Sequence, residues 1–435
     1  MTGEEEDLAL STALKRIAGP VAVATIATGY GLRALKQRYE AIAPFHLDDR
    51  PAPGSAEFDH FLEGMTGEAA RPGNRVDVYR NGREIFPAML DAIAQAERSI
   101  LFATYIYWRG DIARRFAEAL SARARDGVEV RVLLDAVGAA RMLDGLAQQM
   151  RRAGCRIEWF RPPTWHTLHR FDNRTHRKIL VCDGRVAFTG GVGIAEQWTG
   201  DAQDPDHWRD THVRIDGPSS RGLVAGFQEN WAETTRELLG GANVPDIDPY
   251  PDGVPVHVAR SSARHGTTEI QHVFHAAIAC ARERIRLTSA YFAPDRSFVD
   301  GLVEAAERGV DIQILTNGRN AKSEVVRQAG QRRYEALLEA GVRVFEYTPT
   351  LLHAKVLTVD GRWSSVGSVN LDHRSFALND ELNASISDEE VASVLDRQFD
   401  EDRERSEEID LERWRSRGAL PRLKERVSSA LQQEL

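Results

Sequence analysis

Only six of the 56 basic residues in this 435-residue chain are lysine. Cysteine is scarcer still, at three, an odd number that cannot all pair in disulfides. Cys155, Cys182 and Cys280 read as buried free thiols in a reducing compartment. Neither Cys-x-x-Cys nor His-Glu-x-x-His occurs, so the usual zinc spacings are missing. His166 with His169 and His272 with His275 stand three apart, yet no carboxylate or thiolate completes either set. No metal and no cofactor is expected.

Long hydrophobic runs are also absent. The one membrane candidate, residues 17–32, is uncharged but only 16 residues long and is broken by Pro20, short of the roughly 20 that a spanning helix needs. Basic residues flank it on both sides, so charge sets no orientation. The acidic start, Glu4 to Asp7, is unlike a secretory signal. This segment is expected to be a marginal anchor or a surface helix. Net positive charge is missing as well. At −9, with a pI near 5.9, the chain is not built for bulk nucleic-acid affinity.

Against this background one pattern stands out. His176, Lys178 and Asp183 recur at the same spacing as His353, Lys355 and Asp360, each set followed by a glycine, Gly190 and Gly367. With so few lysines, chance matches to such a pattern number on the order of 0.01, so the repeat is not accidental. A chain that writes Arg almost everywhere has kept Lys at both positions, which points to a need for a compact ammonium rather than a planar guanidinium. Residues two apart on a strand share a face, which puts each His with its Lys. A charged Lys in an apolar strand is costly unless it faces a polar cleft. Asp183-Gly184 and Asp360-Gly361 read as hairpin turns by composition, and by position in the motif as members of the catalytic group.

The repeat extends beyond the motif. A helix over 111–126, with Ile112, Phe116 and Leu120 on one face, stops at Gly127 and feeds a strand over 128–134. Residues 297–308, Gly309 and 310–315 repeat that order. Two such copies predict an α/β protein of two halves, each a mostly parallel sheet flanked by helices. The division expected is 1–45 anchor or surface helix, 46–75 linker, 76–240 first half, 241–255 connector, 256–400 second half and 401–435 a charged helical tail. Across 161–186, Arg161, Arg170, Arg174, Arg177, Lys178 and Arg185 face only Asp172 and Asp183, a local excess suited to an anionic substrate.

The paired motifs, with residues 173–191 (NRTHRKILVCDGRVAFTGG), 208–217 (WRDTHVRIDG) and 353–386 (HAKVLTVDGRWSSVGSVNLDHRSFALNDELNASI), resemble the phospholipase D superfamily and, within it, bacterial cardiolipin synthases. The resemblance covers roughly residues 75–425. It implies that the halves pack as a pseudo-twofold pair around one phosphodiester-cleaving site. His176 would attack phosphorus, His353 would serve as acid and base, and Lys178 and Lys355 would hold the phosphoryl oxygens. Asn370 and Ser368 would add donors, and Arg174 would either bind a second phosphate or be a plain surface residue. Asp210 and Glu381, each downstream of one motif, would fix the second nitrogen of an imidazole. One departure is clear: Gly193 stands where the second half has Asn370, so a hydrogen-bonding group is missing from the first half.

The implied activity is transfer of a phosphatidyl group between two phosphatidylglycerol molecules through a phosphohistidine. A peripheral or single-pass protein of the cell membrane is expected, its catalytic part cytoplasmic and its partner an anionic phospholipid, not nucleic acid. A hydrolytic phospholipase D is the alternative, because water and an alcohol resolve the same intermediate. A nuclease is disfavoured by charge, and a lipid-binding scaffold by the retention of both His-Lys pairs.

Overall fold

The computed structural model describes residues 47, 49–142, 144–163, 173–262, 267–318, 330–331 and 333–417, and residues 45–435 form one compact unit. The candidate anchor 17–32, His166, His169, Arg170, Asp172 and residues 418–435 lie outside the described residues. Among the described residues no helix is long and apolar enough to cross a membrane.

The first half supplies strands β1 (Arg71–Arg80), β2 (Ser99–Thr104), β3 (Glu129–Asp135), β4 (Arg156–Phe160), β5 (Ile179–Cys182), β6 (Val186–Gly190) and β7 (Thr211–Asp216). The second supplies β8 (Val254–Ser262), β9 (Thr267–Thr268), β10 (Arg284–Ser289), β11 (Phe292–Ala293), β12 (Asp311–Asn317), β13 (Arg343–Tyr347), β14 (Lys355–Val359), β15 (Trp363–Gly367), β16 (Leu371–Asp372), β17 (Glu381–Ser387) and β18 (Ser406–Glu408). Sixteen of these form one sheet, ordered β18-β13-β12-β10-β14-β15-β17-β8-β1-β7-β6-β5-β2-β3-β4, with β9 on β8. The order mirrors itself about the β1–β8 pair. That mirror is the pseudo-twofold axis expected from the repeat.

The sheet is mixed rather than mostly parallel. Only β2-β3-β4 and β10-β12-β13 are parallel runs, each joined by helical crossovers. The remaining neighbours on the path are antiparallel, because the motif strands turn back through tight hairpins instead of crossing over. At those turns Asp183 and Gly184 have φ of 55° and 67°, and Asp360 and Gly361 have 54° and 65°. Two consecutive positive φ values make the primed turn that matches strand twist.

Helices Asp111–Arg125 and Arg296–Glu307 lie within a residue of their expected bounds. Each buries its apolar face in its own half, Phe116 and Leu120 in one core and Phe298 and Leu302 in the other. Two domain expectations are corrected. The linker 46–75 holds helix Ala56–Thr66, capped by Ser55, whose Phe58 meets Trp363 edge-on in the second core; an apolar Phe58/Leu62 stripe drives that docking. The boundary of the charged tail at 401 falls inside helix Glu389–Glu404. Phe399 of that helix packs with Phe345 and Tyr347, and its buried Asp402 pairs with Arg209 of the first half at 2.7 Å.

Candidate active site

The site is assembled by two backbone bridges that run between the halves. Thr175, just before His176, bridges Asp380, just before Glu381; Arg209, just before Asp210, bridges Leu352, just before His353. His176 N–H donates to Asp380 O at 2.9 Å and His353 N–H to Arg209 O at 2.7 Å. Each histidine segment is therefore paired with the carboxylate segment of the other half.

The side chains follow that crossing. His176 Nδ1 lies 3.0 Å from both carboxylate oxygens of Glu381. His353 Nδ1 lies 2.9 Å from Asp210 Oδ2. Both carboxylates are fully buried, whereas the imidazoles keep 12 % and 9 % of their side-chain surface open. A buried carboxylate on Nδ1 fixes the tautomer and leaves Nε2 with its lone pair free.

Lys178 Nζ donates to the carbonyl of His176 at 2.7 Å, and Lys355 Nζ to the carbonyl of His353. Lys355 Nζ also lies 3.1 Å from His353 Nδ1. Since that nitrogen carries its proton toward Asp210, the approach is a repulsive one, not a second hydrogen bond. It disfavours the imidazolium.

The electrostatics are those of a buried cleft in which two lysines face two carboxylates across the imidazoles. Burial, with Lys178 and Lys355 adding to it against Glu381, pushes His176 down to about 4. Burial and Lys355 push His353 down to about 3, against Asp210. Each imidazole feels the lysine of the other half, so the four groups share one site. Burial likewise lowers Lys178 to about 7 and Lys355 to about 8. Burial opposes ionisation of Asp210 and Glu381, yet the histidine and lysine facing each one hold it below the usual carboxylate range. At neutral pH both imidazoles are neutral and both carboxylates charged.

A pH dependence follows. If catalysis needs both ammonium groups, kcat/KM should fall by on the order of tenfold or more between pH 7 and 9, as Lys178 and then Lys355 lose protons. In kcat the same limb should move to higher pH, because a bound phosphodiester anion stabilises the ammonium form. A pH–rate profile still rising at pH 9 would show that uncharged lysines suffice.

Several expected members lie elsewhere. Asp183 and Asp360 sit at the far ends of the motif strands, away from the imidazoles. Asp183 accepts the N–H groups of Glu97, Arg98 and Ser99, and Asp360 those of Arg282, Glu283 and Arg284. Three orphan donors at the entry of β2 and of β10 need an anion there, so these two are turn residues and not part of the catalytic group. Arg174 is neither a surface residue nor a phosphate ligand: it is 2 % exposed, binds Asp135 through Nε and donates to the carbonyls of Arg161 and Phe160. Ser368 directs its hydroxyl at Glu381 Oε2, not at the cleft. Asn370 differs from these, since its buried amide oxygen has no partner among the described residues.

The local cation excess around the first motif is also cancelled in three dimensions. Arg161 pairs with Glu233, Arg177 with Glu229 and Arg185 with Asp216, so that among the described residues of the patch Lys178 is the cation that acts on the imidazoles, together with Lys355 of the other half. Gly193 lacks its side chain for a steric reason. A Cβ there would stand 2.9 Å from Ile106 Cβ and 3.3 Å from Trp198 Cη2.

Aromatic walls were missed by sequence reasoning. Tyr105 meets His176 edge-on at 5.4 Å, and Trp198 and Trp208 flank His353 at 5.1 and 5.8 Å. Their signal was a length difference: the stretch from Gly193 to Asp210 is six residues longer than its counterpart from Asn370 to Glu381, and it carries both tryptophans. Among the described residues no cluster of His, Cys, Asp and Glu is arranged to hold a metal.

The family model described as "Cardiolipin synthase, PLD-like domain" matches twice, over residues 89–218 and 274–403, one match per half. Cardiolipin synthase 2 of Staphylococcus epidermidis is 32 % identical over 362 residues, covering 82 % of this chain and 74 % of that protein. Cardiolipin synthase A of Pseudomonas fluorescens is 33 % identical over 360 residues, with the same coverage. In fold, the chain is similar to phosphatidylserine synthase of Haemophilus influenzae, with a TM-score of 0.64 at 14 % identity over 88 % of this chain and all of that one. With both repeats matched and the relatives aligned over most of their length, the chain belongs to the cardiolipin synthase family of phospholipase D-like phosphatidyltransferases.

Proposed function

We propose that this protein moves a phosphatidyl group from one phosphatidylglycerol to another at a membrane surface, releasing glycerol and forming cardiolipin. The observation that carries this reading is the pair of neutral imidazoles, each held by a carboxylate of the opposite half, beside two lysines. Phosphodiesters repel nucleophiles, so a site needs a nucleophile, an acid and cations. This set supplies them from side chains.

In the first step His176 Nε2 attacks phosphorus, an N–P bond forms, and the P–O bond to glycerol breaks. His353 gives its proton to the departing oxygen. That imidazole is neutral in the empty site; the arriving phosphodiester anion, with Asp210 behind it, favours the protonated form the step requires. In the second step the primary hydroxyl of another phosphatidylglycerol gives its proton back to His353, the new O–P bond forms and the N–P bond breaks. Lys178 and Lys355 neutralise the non-bridging oxygens in both steps. The two titrations are coupled through the shared phosphoryl group.

Purified protein with vesicles of isotopically labelled phosphatidylglycerol tests this, with products identified by mass spectrometry. Cardiolipin and glycerol in equal amounts are expected. Phosphatidic acid as the sole lipid product would sink the transferase reading and establish a hydrolase.

The lysines carry their own test. Lys178→Arg and Lys355→Arg preserve charge but replace a head that folds onto the carbonyl two residues back with a longer planar fork. A displacement of about 1 Å at a phosphoryl group can cost on the order of 100-fold. Each variant should lose about tenfold or more in turnover while its circular dichroism spectrum stays that of the parent. Near-normal turnover in both would mean that charge alone suffices.

A further inference from the structure

The two imidazole–carboxylate pairs differ in what stands behind them. Behind Glu381 is Ser368, whose hydroxyl donates to Oε2 and has the carbonyl of Leu382 at 3.3 Å as another acceptor. Behind Asp210 the position of Ser368 is taken by Gly191, where a Cβ would stand 2.1 Å from Asp210 Oδ1. No serine fits there. Instead Trp198 Nε1 donates to Asp210 Oδ2 at 2.7 Å, the same oxygen that accepts from His353 Nδ1, while Thr211 N–H holds Oδ1 at 2.8 Å. Trp198 is 1 % exposed, wedged 4.4 Å from the ring of Trp208 and edge-on to His353.

We propose that Trp198 is a positioning residue that assigns His353 its acid–base role, by holding Asp210 in place and sharing the oxygen that grips His353. An indole N–H donates and cannot accept or rotate away, whereas a serine hydroxyl can do both. Two donors on one oxygen each receive less of its charge. A carboxylate so engaged stabilises an imidazolium less, and the proton on His353 becomes easier to give up. Glu381 also shares one oxygen, Oε2, between His176 Nδ1 and a second donor, and Asn379 Nδ2 lies 3.4 Å from its Oε1. The difference is that the Ser368 hydroxyl can turn to the Leu382 carbonyl and release that oxygen, whereas the indole cannot. Of the two glycines where the second half has Ser368 and Asn370, Gly191 makes room for Asp210 as Trp198 holds it, whereas at Gly193 the tightest obstacle to a Cβ is Ile106 at 2.9 Å, with the Trp198 ring at 3.3 Å. The charged groups facing His353 are Asp210, Lys355 and Lys178, with the neutral His212 behind Asp210.

This inference rests on the phosphatidyl-transfer reading for its substrate, and the test separates the two. Trp198→Phe keeps a ring in the wedge and removes the N–H. Its phosphatidylglycerol turnover should fall about tenfold, the scale of one hydrogen bond to a charged group. The burst of p-nitrophenol from a p-nitrophenyl phosphodiester, whose leaving group needs no acid, should stay within about twofold. The acid limb of the transfer step, which reports His353 as base, should move to higher pH, because a carboxylate relieved of one donor is more basic. Equal loss of burst and transfer with an unmoved limb would mean that Trp198 only fills space, and would overturn the proposal.

Should Trp198→Phe fail to fold, growth on fluorotryptophan replaces all eight tryptophans with stronger N–H donors of nearly the same shape, and the limb should then move to lower pH. An unmoved limb overturns the proposal there too. Wild-type protein that gives the burst and phosphatidic acid but no cardiolipin would fault the transferase reading alone; the limb of its hydrolytic step, which uses the same His353, would still decide the role of Trp198.

Discussion

His176→Ala and His353→Ala should each reduce turnover about ten-thousandfold or more, and the double variant should be no worse than either alone, because the imidazoles act on one phosphoryl group as a unit. Their partial reactions should differ. With a p-nitrophenyl phosphodiester, His353→Ala should still release one equivalent of p-nitrophenol and accumulate phosphoryl adduct on His176, since that leaving group departs without an acid. His176→Ala should give neither. Peptide mapping by mass spectrometry locates the adduct, and adduct on His353 in the His176→Ala protein would reverse the assignment of nucleophile. Neither substitution should unfold the chain, since both imidazoles border the cleft and keep part of their surface open.

The crossing of the carboxylates gives the second large effect. Asp210→Asn and Glu381→Gln each remove a buried negative charge from an imidazole Nδ1. Loss of the correct tautomer and of imidazolium stabilisation in such pairs costs about a thousandfold to ten-thousandfold. Because the pairs run between halves, the defects should fall on opposite steps. Glu381→Gln, a change in the second half, should abolish the p-nitrophenol burst that depends on His176 in the first. Asp210→Asn should spare the burst and stall transfer to the acceptor. If Asp210→Asn instead abolished the burst while Glu381→Gln preserved it, each carboxylate would be serving its own half and the crossed assignment would be wrong.

Much of this was legible before any coordinates. The His-Lys pairs could be read because spacing, scarcity of lysine and the cost of a charge in an apolar strand all point the same way, and none of these needs a third dimension. The Asp-Gly turns were equally local: two consecutive positive φ values suit that dipeptide in any context. The helices 111–125 and 296–307 followed from their apolar stripes and terminal glycines. Even the carboxylates Asp210 and Glu381 could be picked out, though not their owners.

What the chain alone left open depended on contacts between residues far apart in sequence. The motif aspartates looked catalytic by position and proved to be caps for β2 and β10, because the three N–H groups each one satisfies come from about 80 residues away. The apparent cationic patch dissolved because each described arginine in it has a carboxylate partner that folding brings up from elsewhere. Arg174 became structural for that reason.

The sequence by itself determined the duplicated groups, two imidazoles and two ammonium groups symmetric in kind, and the family resemblance added a carboxylate to each half. Only the tertiary structure decided who serves whom. The bridges Thr175–Asp380 and Arg209–Leu352 hand each carboxylate to the opposite histidine, and a six-residue insertion brings Trp198 onto one of the two pairs. Composition cannot express that choice. It arises when backbone pairing and the packing of a single indole make two nearly identical motifs unequal.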